Sequence, residues 1–132
     1  MTATGTIHES ADVYVKDGLV SAVGPNLDVP QGTAEIDVRG KTVTPGIIDT
    51  HSHIGVYASP GLRAHSDGNE AVGPVTAYAD TRSAYWPQDP QIDTARAGGV
   101  TSMLILPGSA NLIGGRAFVA KLIPGVRYSE EA

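Results

Sequence analysis

Pro45-Gly46-Ile47-Ile48-Asp49-Thr50-His51-Ser52-His53 opens at a turn, passes through apolar residues and ends polar. Such a run predicts a buried strand of a parallel sheet whose C-terminal end opens onto a site. The stretch downstream supplies its partner. Asp89 is placed to cap a helix, Pro90 suits the first helical position, and Gly98-Gly99 can end it. Val100–Leu106 (VTSMLIL) then reads as a second buried strand, ending at Pro107-Gly108-Ser109-Ala110-Asn111. Strand, crossover with helix, and strand make a βαβ unit, which implies a parallel pair.

Between the two strands lies a long segment, Gly55 to Gln88, rich in Gly, Pro, Ser and Asp. Its length fits a binding loop or lid, with a helical stretch expected near Val75–Ser83. Tyr85 and Trp86 read as a packing anchor for this loop. After Arg116, the run Phe118–Ile123 predicts one more short strand, and Ser129–Ala132 a polar tail.

Upstream of Pro45 the pattern is different. Ala11–Lys16 and Leu19–Val23 are β-rich runs joined by Asp17-Gly18, a two-residue hairpin signal. Ala34–Val38 and Lys41–Thr44, joined at Arg39-Gly40, predict two further strands. Residues 1–45 thus read as a small antiparallel β-subdomain, and residues 46–132 as α/β.

Composition narrows the classes of function. The 132 residues include no cysteine, which excludes disulfides, thiolate metal sites and cysteine nucleophiles. A net charge of −5 without a basic cluster argues against nucleic acid and anionic membranes as partners. Met1–Ser10 has neither a basic n-region nor an apolar h-region, and no run approaches the roughly 20 apolar residues that span a bilayer. The expectation is a cytoplasmic protein.

His51 and His53 carry the chemistry. Residues i and i+2 of a strand project from one face, so both imidazoles point together at the strand exit. One divalent ion could take a nitrogen from each, but zinc sites need three or four ligands, so the pair is part of a site. Asp49 shares that face and could hydrogen-bond a ligand imidazole and fix its tautomer. Without a metal, the same residues are simply polar groups at a strand exit. Asn111, in a Gly-rich turn past the second strand, is a candidate substrate-binding amide or a plain turn residue. Asp67 and Glu70 form a carboxylate pair in a polar loop, where solvated groups are the ordinary reading. His65 reads as a loop histidine and His8 as a surface one. The glycines at 108, 114 and 115 fit neither a P-loop nor a dinucleotide fingerprint.

Val43–His53 (VTPGIIDTHSH) resembles the first barrel strand of the amidohydrolase superfamily of metal-dependent hydrolases. Ala95–Pro107 (ARAGGVTSMLILP) resembles the end of the first helix and the second barrel strand. Gly108–Gly115 (GSANLIGG), and less specifically Asp67-Gly68-Asn69-Glu70, are similar to the imidazolonepropionase-like branch. The resemblance spans most of residues 11–121. It implies a β-subdomain of composite sandwich type followed by the first units of a (β/α)8 barrel. A complete barrel takes roughly 250 residues, so the barrel here is partial. It also implies that His51 and His53 bind a divalent metal, zinc foremost. Metal-activated water would then hydrolyse non-peptide C–N bonds of a small amide or cyclic amide. The family's remaining ligands and its catalytic Asp have no counterpart, and Lys121 falls too early to be the bridging lysine. The expectation is therefore an N-terminal fragment of a hydrolase, inactive alone. Alternatives are a truncated non-catalytic product, or an interaction module or subunit that a complementing chain or homo-oligomer completes.

Overall fold

The computed structural model describes residues 2–123; the predicted Ser129–Ala132 tail lies outside them. The chain divides into two compact units, Met1–Pro45 and Gly46–Ala132.

The first unit holds an antiparallel hairpin of β1 (Asp12–Lys16) and β2 (Leu19–Gly24), with Lys16 opposite Leu19. Asp17 and Gly18 both take positive φ, 52° and 76°. That is the backbone a two-residue type I′ turn demands, and Asp-Gly tolerates it. The register slips between Tyr14 and Val15, an irregularity of the β-bulge kind. The strands expected at Ala34–Val38 and Lys41–Thr44 do not form. A strand persists through a paired backbone and a face to bury, and Ile36 remains 85% exposed.

The second unit is built on a three-stranded sheet of order β3-β4-β5, with β3 at Ile47–Ser52, β4 at Val100–Ile105 and β5 at Phe118–Lys121. β3 and β4 are parallel, as the crossover pattern requires, and β5 returns antiparallel to β4. The crossover contains α1 (Pro90–Ala97), with Asp89 as its cap, Pro90 in its first turn and Gly98 at its end. Short 3₁₀ turns at Arg63–His65 and Thr81–Ser83 punctuate the long loop. The helical stretch expected near Val75–Ser83 is helical only in the second of these turns; Val75 and Asp80 sit in bridges to the β4–β5 connection instead.

Met103 and Ile105 of β4 form the core with Val56, Ile92, Ala120 and Leu122. Tyr85 and Phe118 close its margin edge to face, their rings 5.3 Å apart. The expectation that β3 is a buried strand fails along most of its length, since only Ser52 at its end is buried. Ile47 and Ile48 are 53% and 67% exposed, because among the described residues β3 is an edge with β4 as its one neighbour.

Two long segments are stitched together above the sheet. The Thr76 amide donates to the Ile113 carbonyl (2.8 Å), Arg116 to Ala79 (2.8 Å) and Thr81 to Arg116 (3.0 Å). The β3–α1 loop thereby runs alongside the β4–β5 connection, with parallel bridges at Val75–Ile113 and Asp80–Arg116.

Candidate metal centre

Parallel pairing decides where the histidines stand. Ser52 lies opposite Ile105, so both strands end at the same level. The Leu106 amide continues the ladder by donating to the Ser52 carbonyl at 2.8 Å. His53 therefore leaves β3 beside Leu106, and its Nδ1 lies 2.9 Å from the Leu106 carbonyl oxygen. A carbonyl has no proton to give, so Nδ1 is the donor, and in the neutral imidazole the lone pair is on Nε2. Histidines that bind metals are commonly oriented this way.

His51 projects from the same side, exposed, with its ring 5.3 Å from that of His53 and perpendicular to it. The structure thus brings the two imidazoles together, as the i, i+2 spacing implies. Asp49 is used differently from the expectation: its Oδ1 accepts the backbone amide of His51 at 3.0 Å. The carboxylate braces the strand exit through the main chain.

Among the described residues, no group of three or more His, Asp or Glu side chains is placed to hold a metal. Two neighbouring imidazoles, one with its tautomer fixed by a carbonyl, suit a zinc-like ion as part of a ligand set.

Asn111 is anchored through its amide nitrogen, which donates to the Glu70 carbonyl (2.7 Å) and the Gly73 carbonyl (2.8 Å). It lines a cavity of about 340 Å³ together with Asp67, Glu70, Tyr78, Asp80 and Pro107. The carboxylate pair and the amide therefore share one hollow, while neither histidine lines it. Asp80 belongs to an ion-pair group: Arg82 reaches it at 2.7 Å and Arg116 at 3.3 Å. The Arg82 hydrogen bonds hold its carboxyl down at about 2. His65 lies tilted against Trp86 with ring centroids 4.8 Å apart, and among the described residues its buried Nδ1 has no hydrogen-bond partner. His8 is exposed.

Sequence reasoning missed two structural residues of this region. Asp89 does more than cap α1. Buried, it accepts from Gly55 (2.8 Å), Ser59 (3.2 Å) and Gln91 (3.0 Å), pinning the loop after His53 to the helix start. The other is Tyr57, whose ring meets His53 edge-on at 5.6 Å.

Comparison with known proteins identifies the family. A scan of protein-family models gives no match. The chain is 47% identical over 113 residues to an amidohydrolase of Hapsidospora irregularis, covering 83% of this chain and 12% of that protein. It is 34% identical over 117 residues to a dihydroorotase of Citrifermentans bemidjiense, covering 89% of this chain and 22% of that protein. An imidazolonepropionase of Geobacillus thermodenitrificans is 44% identical over 66 residues, 45% of this chain and 15% of its own. The crystal structure of an amidohydrolase from Thermotoga maritima superposes with TM-score 0.72 and 42% identity, over 87% of this chain and 30% of that one. The chain belongs to the amidohydrolase superfamily. It spans less than a quarter of the length of these curated relatives, and is a partial member in that sense.

Proposed function

We propose that this chain carries the first metal-binding element of a hydrolase acting on non-peptide C–N bonds in small amide or cyclic amide substrates. His51 and His53 would hold a divalent ion, zinc foremost. The observation that carries this is the hydrogen bond from His53 Nδ1 to the Leu106 carbonyl, which puts the lone pair of the neutral ring on Nε2, in an imidazole 5.3 Å from that of His51. A divalent ion, when bound, supplies Lewis acidity and an acidified water for attack on an amide carbonyl. Asp49 keeps the His51 backbone in place, and Asn111 with its neighbours offers a polar hollow past the second strand. In this reading residues 1–45 are a small β-subdomain and residues 46–132 the opening units of a (β/α)8 barrel. The further ligands and the general acid–base would come from outside these residues.

A cobalt titration followed by its visible spectrum tests the reading on the 132-residue chain. Weak binding that disappears in the His51→Ala/His53→Ala double variant, with no amide hydrolysis, is the expected result. Binding that survives the double substitution would overturn it.

The exposed β3 edge favours a second reading, in which the chain acts only with further strands supplied by more polypeptide. Edge strands with apolar faces invite pairing. Sedimentation velocity should then show self-association, and a strictly monomeric chain would count against this reading.

A further inference from the structure

We propose that Tyr57 is a positioning residue for His53, set in place by Asn69 and by two glycines, Gly68 in the β3–α1 loop and Gly108 just past β4. The chain doubles back after β3, and the amides of Val56 and Tyr57 both donate to the His53 carbonyl, at 3.0 and 2.9 Å. This turn returns the Tyr57 ring to His53, where it meets the imidazole edge-on at 5.6 Å and 80°. The phenol is fixed at its far end. Its oxygen accepts a hydrogen bond from Asn69 Nδ2, while Asn69 Oδ1 accepts the Ala110 amide at 3.0 Å. Asn69 thus ties the β3–α1 loop to the segment after β4, and the Gly108 amide adds a bond of 2.7 Å to the Gly68 carbonyl. At both glycines, a Cβ would run into the Tyr57 phenol. The space that Gly68 and Gly108 leave open is the seat of that ring.

The imidazole is therefore constrained from two sides, by a carbonyl on Nδ1 and by an aromatic edge contact. The carbonyl sets the tautomer, and the aromatic contact holds the ring in the plane in which that hydrogen bond is made, so losing the contact loosens both. The functional meaning of this brace rests on His53 being a metal ligand; the brace itself does not. Outer groups that orient a ligand are worth about 10–100-fold in metal affinity. A loss in that range is expected when the ring is removed.

The test separates the two ideas. On the metal-free chain at mildly alkaline pH, ¹⁵N–¹H correlation of the imidazoles should report His53 with the proton on Nδ1, and proton cross-peaks should connect its ring to Tyr57. Tyr57→Leu should release His53 to a mixture of tautomers and weaken cobalt binding about 10-fold or more. Tyr57→Phe, which keeps the ring, should restore most of both. Gly108→Ala, which intrudes on the phenol, should resemble Tyr57→Leu. An unchanged tautomer in Tyr57→Leu, or absent cross-peaks in the unsubstituted chain, would overturn the proposal. The cross-peak measurement stands even if a variant fails to fold. A tautomer that follows Tyr57 in a chain that binds no cobalt would support the brace and sink the metal reading.

Discussion

β4 and β3 are parallel neighbours of six residues each, both with apolar residues, yet they occupy opposite environments. β4 lies between β3 and β5, and Met103 and Ile105 are 1% and 0% exposed. β3 has one partner, and of its residues only Ser52 is buried. Similar strand chemistry therefore yields a core in one place and an open edge in the other. The number of flanking strands decides between them. The candidate site sits where the two meet, with His51 on the edge strand, His53 just past its end, and the carbonyl that orients His53 just past the central strand.

The largest expected effect tests the central strand. Ile105→Ala or Met103→Ala should cost about 2–5 kcal/mol, the range for emptying a closed core site. Chemical denaturation would read this, and a cost near zero would break the contrast with β3. Next comes the tether between edge and helix. Asp89→Ala leaves several amides without their acceptor, at an expected cost of about 1–3 kcal/mol. Hydrogen exchange should speed up at Gly55 and Ser59 in particular.

Two pH effects follow. Tyr85 is half-buried, and burial, with Asp89 nearby, pushes its phenol above the usual value. A raised acid favours the folded state below its unfolded pKa near 10, and this contribution is lost as pH rises through the folded value. Tyr85→Phe should flatten an alkaline unfolding profile. Asp80 works in the reverse sense. Held at about 2, chiefly by Arg82, it contributes above its ordinary value of 3.8, and the contribution disappears as pH falls through about 2. With Arg82 exposed and Asp80 half-buried at the surface, this pair should show a small effect, weakened by salt. The smallest effect belongs to the edge: Ile48→Ala should change stability by about 0.5 kcal/mol or less. A large loss there would show that β3 is covered after all.

The parts of the fold that the sequence revealed are those decided locally. Asp17-Gly18 specifies its turn through two left-handed residues, and Asp89-Pro90 with Gly98-Gly99 brackets α1. The i, i+2 spacing of His51 and His53 set their common side because alternation is a property of any strand. Ala34–Val38 and Lys41–Thr44 alternate as strands do, but pairing depends on a partner that local pattern does not reveal. Burial of Ile47 and Ile48 was equally out of reach, since it depends on what flanks β3. The Tyr57 brace was invisible for a related reason: Asn69 and Gly108 join it from 12 and 51 positions away. The redirection of Asp49 to a main-chain amide turned on a choice between two nearby donors, which spacing does not distinguish.

The stitching of the β3–α1 loop to the β4–β5 connection has a consequence for how this region tolerates change. Thr76 bonds to Ile113, and Ala79 and Thr81 both bond to Arg116, so the two segments are held in one register. An insertion within 76–81 would throw that alignment out of step, so length changes there call for compensation in 113–116. Cleavage of the backbone between 70 and 74 is a different matter: the flanking pieces stay attached through Asn111 and the paired segment. A chain nicked at that point should still migrate as one particle under native conditions and separate into two only when denatured.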